Sequence, residues 1–244
     1  MISRRRPRRF AALLSALAVA ASLVPACAAQ QPEANSAKLS GRIELRSVQH
    51  QSHAPSIVTW LTPAGKTPSL PAPPPGHFTL VQKNRTFTPH LLVIPVGSVV
   101  SFPNQDPFFH NVFSLFNGRR FDLGLYEAGS SRQVEFSRKG VSYIFCNIHP
   151  EMSAVVIALA TPLYDVADSA GSFSIHPVPP GNYDLHVWIE GTPQPDLDRL
   201  KRKIILADGQ SSTIVVDAKA AFRPVGNHLN MYGKPYPPDT RPPY

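Results

Sequence analysis

Short apolar runs, separated by Gly, Pro and Asn, dominate the chain after about residue 38. Some of these runs alternate with polar residues and others are continuous and rich in β-branched side chains, and both patterns are typical of strands. No segment beyond the N-terminal leader has a convincing helical period. The pattern predicts an all-β protein. The predicted strands are "SGRIELRS", "PSIVTWLT", "HFTLVQKN", "HLLVIPV", "SVVSFPN", "NVFSLF", "RQVEFS", "VSYIFC", "SAVVIALA", "GSFSIHPV", "YDLHVWIE", "KRKIILA" and "STIVVDAK".

Residues 1–28 are predicted to be an export signal. "MISRRRPRRF" carries five arginines and no acidic residue, "AALLSALAVAASLV" is apolar, and "ACA" offers small residues for cleavage after Ala28. The mature protein is therefore expected in the periplasm or elsewhere outside the cytoplasm. A lipid anchor at Cys27 and twin-arginine export are alternatives. No later stretch has the apolar length that a bilayer requires, so no internal membrane span is predicted.

The leader also accounts for most of the positive charge and for one of the two cysteines. Removing its five arginines lowers the formal net charge from +8 to about +3, so nucleic-acid binding is not implied. Cleavage leaves Cys146 as the only thiol of a protein in an oxidising compartment, where unpaired cysteines are usually avoided or have a function. A Cys27–Cys146 disulfide is the alternative, and it requires an uncleaved leader.

The segment "DSAGSFSIHPVPPGNYDLHVW" has two turns and alternating apolar residues, and it resembles the carboxypeptidase regulatory-like (transthyretin-like) β-sandwich. In that family two strands similar to "LSGRIEL" and "SIVTWLTP" normally come directly before such a segment, but here they lie about 100 residues upstream. We therefore predict a discontinuous sandwich of residues 38–65 and 162–220, interrupted by a β-domain at about 76–160. Alternatively, the early strands belong to that second domain. The Pro-rich tail, residues 221–244, suggests no chemistry.

The segment "YIFCNIHPEM" places Cys146, His149 and Met152 within seven residues, between two predicted strands. A tight loop there allows all three side chains to turn toward one point. A fourth ligand, His110, comes from "SFPNQDPFFHNVFS" at the start of another strand. Two imidazoles, a thiolate and a weak axial thioether are the set that favours copper and electron transfer. Singly, each residue has a structural interpretation: a buried Cys or Met as an apolar filler, and a His as a satisfied polar group.

This combination resembles the cupredoxins, the small blue-copper proteins, over about residues 78–160. The Cys-x2-His-x2-Met spacing is the short, amicyanin-like form, and "HN" at His110 and Asn111 matches the family's upstream ligand. The block also looks like cupredoxin-type proteins often labelled methylamine-utilisation proteins. The resemblance implies a Greek-key β-sandwich with one type 1 copper ion, bound by His110, Cys146, His149 and Met152, beside the smaller transthyretin-like sandwich.

The leading hypothesis is an electron carrier that exchanges single electrons with redox protein partners. Its rival is a copper-delivery protein, whose metal is cargo. A multicopper enzyme is not expected, because there is no His-x-His pair or His-Cys-His run. A structural or carbohydrate-binding sandwich would fit residues 162–220 but leaves the four ligands unexplained. The other histidines are assigned to surface or structure: His50, His53, His77, His90, His176, His186 and His228.

The surroundings of the copper site carry further expectations. Backbone N–H groups close to the Cys146 sulfur, including that of Asn111, are expected to tune the reduction potential and to link the two ligand loops. His149 is expected to be the ligand nearest solvent. Phe108 and Phe109 belong either to an apolar docking face or to the core.

Overall fold

The structure is a computed structural model that describes residues 36–45, 54–67, 69–115, 118–218 and 229–236. The predicted export signal with Cys27, and most of the Pro-rich tail, lie outside the described residues. Strands and one short helix make up the regular structure within them, which confirms the all-β prediction. The strands are β1 (Ala37–Leu45), β2 (Ile57–Pro63), β3 (His77–Thr79), β4 (Val81–Lys83), β5 (Thr86–Thr88), β6 (Leu91–Pro95), β7 (Val99–Pro103), β8 (His110–Ser114), β9 (Phe121–Tyr126), β10 (Ser131–Glu135), β11 (Gly140–Phe145), β12 (Ser153–Leu159), β13 (Tyr164–Val166), β14 (Ser172–Val178), β15 (Gly181–Ile189), β16 (Arg202–Leu206) and β17 (Ser211–Ala218), and the helix is α1 (Gln194–Leu200).

The structure departs from the predicted elements in three ways. The predicted strand "HFTLVQKN" is divided at Leu80 into β3 and β4, and three strands were not predicted, namely β5, β9 and β13. β5 and β13 have only three residues each, too few to show an alternating pattern. The helix α1 was also missed. It follows Pro193, has Asp196 in its first turn, and buries only Leu197 and Leu200, so its seven residues show no clear period.

Two sheets enclose the smaller of two hydrophobic cores. One has the strand order β10-β7-β3 and the other the order β6-β12-β11-β8-β9. In β7, for example, the alternate residues Val100 and Phe102 belong to this core, as expected for a strand with one buried face. Cys146 and Met152 belong to this smaller core. Its other buried members are Leu80, Phe87, Ile94, Val100, Phe102, Val112, Tyr126, Val134, Phe136, Ile144, Ala154, Val156 and Ala158.

Two further sheets contribute most residues of the larger core. Their strand orders are β14-β1-β17 and β13-β2-β15-β16. β1 pairs with β17 in parallel and with β14 in antiparallel fashion, and β2 pairs with β13 and β15. Both early strands therefore pair with strands that follow residue 160. The domain boundaries, at 38–65, 76–160, 162–220 and 221–244, stay a prediction.

The strand β12 contributes to both cores. Ala154, Val156 and Ala158 face the smaller core, whereas Val155, Ile157 and Leu159 belong to the larger one. Burial on both faces explains why "SAVVIAL" is continuously apolar instead of alternating. The loop 146–152, which carries three of the predicted ligands and is called the ligand loop below, precedes this strand directly. Its C-terminal end is therefore attached to a strand that is buried on both sides. No helix in the described part of the chain is long and apolar enough to cross a membrane.

Candidate metal centre

The loop between β11 and β12 carries three of the four predicted ligands. β11 ends at Phe145 and β12 begins at Ser153, and Phe145 and Ser153 are paired across the two strands. Inside the loop the Met152 N–H donates to the His149 carbonyl at 3.1 Å, and the Cys146 N–H donates to the Met152 carbonyl at 3.4 Å. These two bonds fold the loop back on itself, so that Cys146 and His149 come to the same side.

The fourth predicted ligand, His110, opens the neighbouring strand β8. β8 pairs with β11 through Phe113 and Phe145, which brings the start of β8 next to the ligand loop. Both His110 and Cys146 are fully buried, and so is Met152. Of the four, only His149 retains some exposure, as expected for the ligand nearest solvent.

The donor atoms of His110, Cys146 and His149 converge. The two Nδ1 atoms lie 3.1 Å apart, and the Cys146 Sγ lies 3.8 Å from Nδ1 of His110 and 3.5 Å from Nδ1 of His149. The centre of this triangle is about 2 Å from each atom, which is the range of metal–nitrogen and metal–sulfur bonds. Lone pairs that face each other so closely repel unless a cation or a proton lies between them. The donor set and its spacing therefore fit a bound metal ion.

Met152 lies in the same hydrophobic core as Cys146, and its backbone closes the ligand loop. A buried thioether in the same core as the buried thiol is compatible with a weak ligand to a metal ion. A methionine that only fills space in the hydrophobic core would be buried in the same way. The assignment of His110, Cys146, His149 and Met152 as the ligands stays a prediction.

Asp106 orients the imidazole of His110. Its Oδ2 lies 2.8 Å from Nε2 of His110, with both side chains almost fully buried. Because a carboxylate only accepts hydrogen bonds, Nε2 carries the proton and Nδ1 presents its lone pair to the Cys146 sulfur. Carboxylates in this position fix the tautomer of metal-binding histidines and raise their basicity. Asp106 was not among the predicted site residues.

Asp106 is itself held in place by a tight hairpin turn. Asn84 and Arg85, between β4 and β5, have φ values of 53° and 54°, the left-handed conformation of a two-residue hairpin turn. Their backbone N–H groups donate to the Asp106 carboxylate, at 2.6 and 3.0 Å. Burial opposes ionisation of Asp106, but the hydrogen bonds from Arg85, His110 and Asn84 outweigh it and lower its pKa. The carboxylate is therefore ionised where it meets His110.

The protonation of the ligands also suits a metal. Burial, and after it the electrostatic influence of the neighbouring His110, lower the pKa of His149 to about 4, so its ring is neutral at pH 7. Burial raises the pKa of the Cys146 thiol, although backbone hydrogen bonds from Asn111, Ile148 and His149 lower it in part. A metal ion would have to displace the thiol proton, and those same N–H groups would then stabilise the thiolate.

Asn111 links the two ligand segments, as expected. Its Oδ1 accepts a hydrogen bond from the Asn147 N–H at 3.3 Å, and its backbone N–H bonds to the Cys146 sulfur. On the other side, its Nδ2 donates to Asp122 at 2.7 Å, which fixes the orientation of the side-chain amide. The positions next to His110 and Cys146 are thereby connected across the strands.

The two phenylalanines before His110 have different roles. The Phe108 ring lies 5.2 Å from the His110 ring and 5.6 Å from the His149 ring, between centroids, and the Arg85 guanidinium carbon lies 5.5 Å from the Phe108 centroid. Phe109, by contrast, is 55% exposed. Phe108 thus packs against the ligand rings, and Phe109 lies on the surface.

The sequence does contain a local signal for Asp106. In "NQDPFFH" the aspartate stands four residues before His110, after a Pro- and Asn-rich turn. A carboxylate at short range from a predicted histidine ligand is a candidate to hold its second nitrogen. The left-handed hairpin that supports Asp106 lies about 20 residues upstream and has no such signal.

Comparisons with known proteins give structural neighbours only. No family model matches the chain, and no curated protein matches it. Solved structures that match include a purple cupredoxin from Nitrosopumilus maritimus, with 25% identity over 33% of this chain and 98% of the other and a TM-score of 0.30. A copper-containing nitrite reductase from Thermus scotoductus SA-01 matches with 25% identity over 42% of this chain, 26% of its own length and a TM-score of 0.33. A reduced single-residue mutant of amicyanin matches with 18% identity over 33% of this chain and 80% of its own, with a TM-score of 0.32.

Proposed function

We propose that this protein carries single electrons between redox partners by means of one type 1 copper ion, bound by His110, Cys146, His149 and Met152. The observation that carries the proposal is the convergence of three donor atoms, from His110, Cys146 and His149, within bonding range of one point. Soft sulfur and imidazole donors in a trigonal arrangement favour copper over harder metal ions.

The chain contributes fixed donors to this chemistry. Asp106 holds His110 in the tautomer that presents Nδ1, and the low pKa of His149 keeps its ring neutral. A bound copper ion would supply the one-electron couple. One proposed ligand, His110, stands on the strand β8, and the other three lie in a short loop between two paired strands. Because these segments are held by buried hydrogen bonds, little rearrangement is expected when the charge at the site changes.

The burial of the site favours a carrier over a delivery protein. His110, Cys146 and Met152 are inaccessible to solvent, and His149 alone offers an exposed edge. A protein that delivers copper must release it during an encounter, and here release would require the ligand loop to open. Electron exchange requires only that a partner approach the exposed edge of His149.

We further propose that this chain is not itself an enzyme. A multicopper oxidase or reductase needs a second copper site close to the first, commonly connected through residues beside the cysteine. Here Phe145 and Asn147 flank Cys146, and neither is a copper ligand. We also propose that the chain is exported by its leader, and that residues 38–65 and 162–220 form a transthyretin-like sandwich around the copper domain.

The deciding experiment is a visible and electron paramagnetic resonance spectrum of the copper-loaded protein. A thiolate bound to copper(II) in this ligand set should give an intense visible absorption band, and Cys146→Ser should abolish it. Cys27→Ser, which changes the other cysteine, is the matched control and should retain the band. A protein that binds copper but stays colourless, or that prefers zinc when both metals are offered, would contradict the proposal.

A further inference from the structure

A C-terminal segment lies against the ligand loop, although the tail had no chemistry assigned to it from the sequence. We refer to residues 229–236 as the C-terminal strap. The Tyr236 hydroxyl donates to the carbonyl oxygen of Cys146 at 2.9 Å, and the Met231 N–H donates to Oδ1 of Asn147 at 2.9 Å. Two consecutive residues of the ligand loop are therefore bound by a segment about 90 positions further along the chain.

The strap has an internal structure that presents these two donors. The Asn230 side-chain oxygen accepts hydrogen bonds from the backbone N–H groups of Tyr232, at 2.9 Å, and Lys234, at 3.1 Å. The Asn230 and Lys234 backbones are also bonded, at 2.9 Å, and Gly233 adopts a left-handed φ of 72° that closes the turn. An asparagine-centred turn of this kind limits the freedom of the strap, so that less entropy is lost when it docks.

Hydrogen bonds connect the strap to both segments that carry the proposed ligands, the ligand loop and the strand β8. Asn147 accepts the Met231 bond with its side chain, while its backbone N–H donates to Asn111, the neighbour of His110. Tyr236 bonds to Cys146 itself. The strap is thus connected to the loop that carries Cys146 and, through Asn147, to the strand that carries His110.

The bond to the Cys146 carbonyl matters because of where Cys146 lies. It follows the last residue of β11, and its own N–H is engaged by the loop closure to Met152. A buried carbonyl requires a hydrogen-bond donor, and the donor that it has restricts the rotation of the peptide that carries it. Since the Cα of Cys146 is part of that unit, the direction of its Cα–Cβ bond, and with it the region that Sγ can reach, is restricted as well.

We propose that Tyr236 is a positioning residue for Cys146, and that the C-terminal strap completes the metal centre by holding the ligand loop closed. The inference rests on the proposed copper function for its consequences in the loaded protein. The closed loop itself is a property of the metal-free chain and can be measured without copper.

The first test compares Tyr236→Phe with Tyr232→Phe in the metal-free full-length chain. Tyr232 lies in the same strap but is 73% exposed, so its variant removes a hydroxyl of the same kind from a position that does not touch the loop. The measurement is the rate at which iodoacetamide alkylates Cys146, followed by mass spectrometry of the peptide that contains it. Tyr236→Phe should raise the rate about five-fold, as for the loss of one hydrogen bond, and Tyr232→Phe should leave it unchanged. Equal rates in both variants and wild type would overturn the proposal.

The second test uses the copper-loaded protein and separates positioning from general stabilisation. Tyr236→Phe should shift the thiolate-to-copper absorption band and speed copper transfer to a Cu(I) chelator about five-fold, and the increase in unfolding temperature caused by copper should shrink. A strap that only stabilises the fold would lower the unfolding temperature equally with and without copper and leave the band unmoved, which would overturn the proposal. If the wild type shows no such band, the copper function fails, and the alkylation rates still decide the role of Tyr236.

A deletion of residues 229–244 provides a second variant. It removes both strap bonds, so Cys146 alkylation in it should be at least as fast as in Tyr236→Phe. Protection of Cys146 equal to that of the wild type would show that the strap does not hold the loop. Tyr236→Phe removes a single oxygen atom and keeps the aromatic ring, so it decides the question if the shortened chain does not fold.

Discussion

Two histidine–carboxylate pairs, one at the candidate metal centre and one beside the larger core, have similar partners at Nε2 and different partners at Nδ1. Nε2 of His110 lies 2.8 Å from Asp106, and Nε2 of His90 lies 2.6 Å from Glu190. Nδ1 of His90 then meets a second acceptor, the Ser153 carbonyl at 3.2 Å, so that both of its nitrogens can donate as an imidazolium. Nδ1 of His110 instead faces another imidazole and a thiol.

The difference shows which feature distinguishes a metal site from a structural histidine. Burial differs between the pairs, since His110 is fully buried and the His90 side chain is 46% exposed. A carboxylate partner is present in both, so it does not by itself identify a ligand. The second nitrogen does: at His90 it has an oxygen acceptor, which favours a proton, whereas at His110 it points at other lone pairs, which favours a cation shared among them. His186 resembles neither pair: its Nε2 lies 2.8 Å from the Thr62 hydroxyl and its ring stacks on Trp60.

The largest expected effect comes from deleting the two imidazoles. His110→Ala should abolish the visible absorption band of the copper-loaded protein, because the trigonal donor set loses a member. His90→Ala should retain the full band, since that ring bonds only to oxygen atoms. Absorption and copper content measured on the same samples check both outcomes. Loss of the band in His90→Ala, or its survival in His110→Ala, would break the distinction between the two pairs.

Replacing the carboxylates should change copper binding less than deleting the imidazoles does, because the carboxylates act only through the imidazoles. Asp106→Asn should weaken copper binding about 10- to 100-fold, as is usual for groups that orient metal ligands, and it should raise the reduction potential because His110 becomes a poorer donor to copper(II). Glu190→Gln should change neither quantity. Competition with a chelator and voltammetry are the measurements. Equal effects of Asp106→Asn and Glu190→Gln on copper affinity and reduction potential would contradict the distinction between the two pairs.

The four candidate ligands could be proposed from the sequence because their signals are local, and the structure brings three of them, His110, Cys146 and His149, together. Cys146, His149 and Met152 stand in one short loop between two strong strand patterns, and His110 opens a strand with a recognisable alternation. Strand pairing alone brings these two segments together, and the all-β pattern was sufficient to expect it. The strand β12 was predicted too, but its position between two cores was not, although its continuous apolar run "SAVVIAL" is consistent with burial on both faces.

The groups that support the ligands could not be found in the same way, because they depend on contacts between distant segments. The Asn84–Arg85 turn reaches Asp106 across more than 20 positions, and Tyr236 reaches Cys146 across 90. A proline-rich tail with no periodicity gives no indication of where it docks. The short helix α1 was missed for a different reason, since seven residues contain too few turns to establish a period.

The third prediction concerns the reduction potential of a Met152 variant, and it distinguishes an electron carrier from a copper-delivery protein. Met152→Gln replaces a soft thioether with a harder oxygen donor, which favours copper(II), so the reduction potential should fall by about 60 mV for each tenfold change in relative affinity. Copper should stay bound, and electron self-exchange should continue. Met231→Gln, in the C-terminal strap, is the matched control and should leave the potential unchanged, because it is the backbone of Met231 that bonds to the loop. Rapid release of copper from the wild type together with undetectable self-exchange would favour delivery.

The smallest expected effect is a pH dependence of stability from the His90–Glu190 pair. The hydrogen bond to Glu190 raises the pKa of His90 despite its partial burial. Burial opposes ionisation of Glu190, but the bonds from His90 and Ser56 outweigh it and lower its pKa. Because the pKa of His90 is raised on folding, its contribution to stability is complete below the pKa of about 6.5 in the unfolded chain, and it is lost as the pH rises through the higher pKa in the folded protein. Because the pKa of Glu190 is lowered on folding, its contribution is complete above about pH 4.5 and is lost as the pH falls below that value.

The pair should therefore stabilise the fold most between about pH 4.5 and 6.5. His90→Gln should lower the free energy of unfolding by less than about 1 kcal/mol there, because the His90 side chain is 46% exposed and solvent screens the pair, and the loss should shrink as the pH rises further. Denaturant unfolding of wild type and variant at about pH 5.5 and pH 9 measures the difference, with the exposed His77→Gln as control. A loss that is equal at both pH values, or larger at the higher one, would show that His90 is not held as an imidazolium and would remove the contrast with His110.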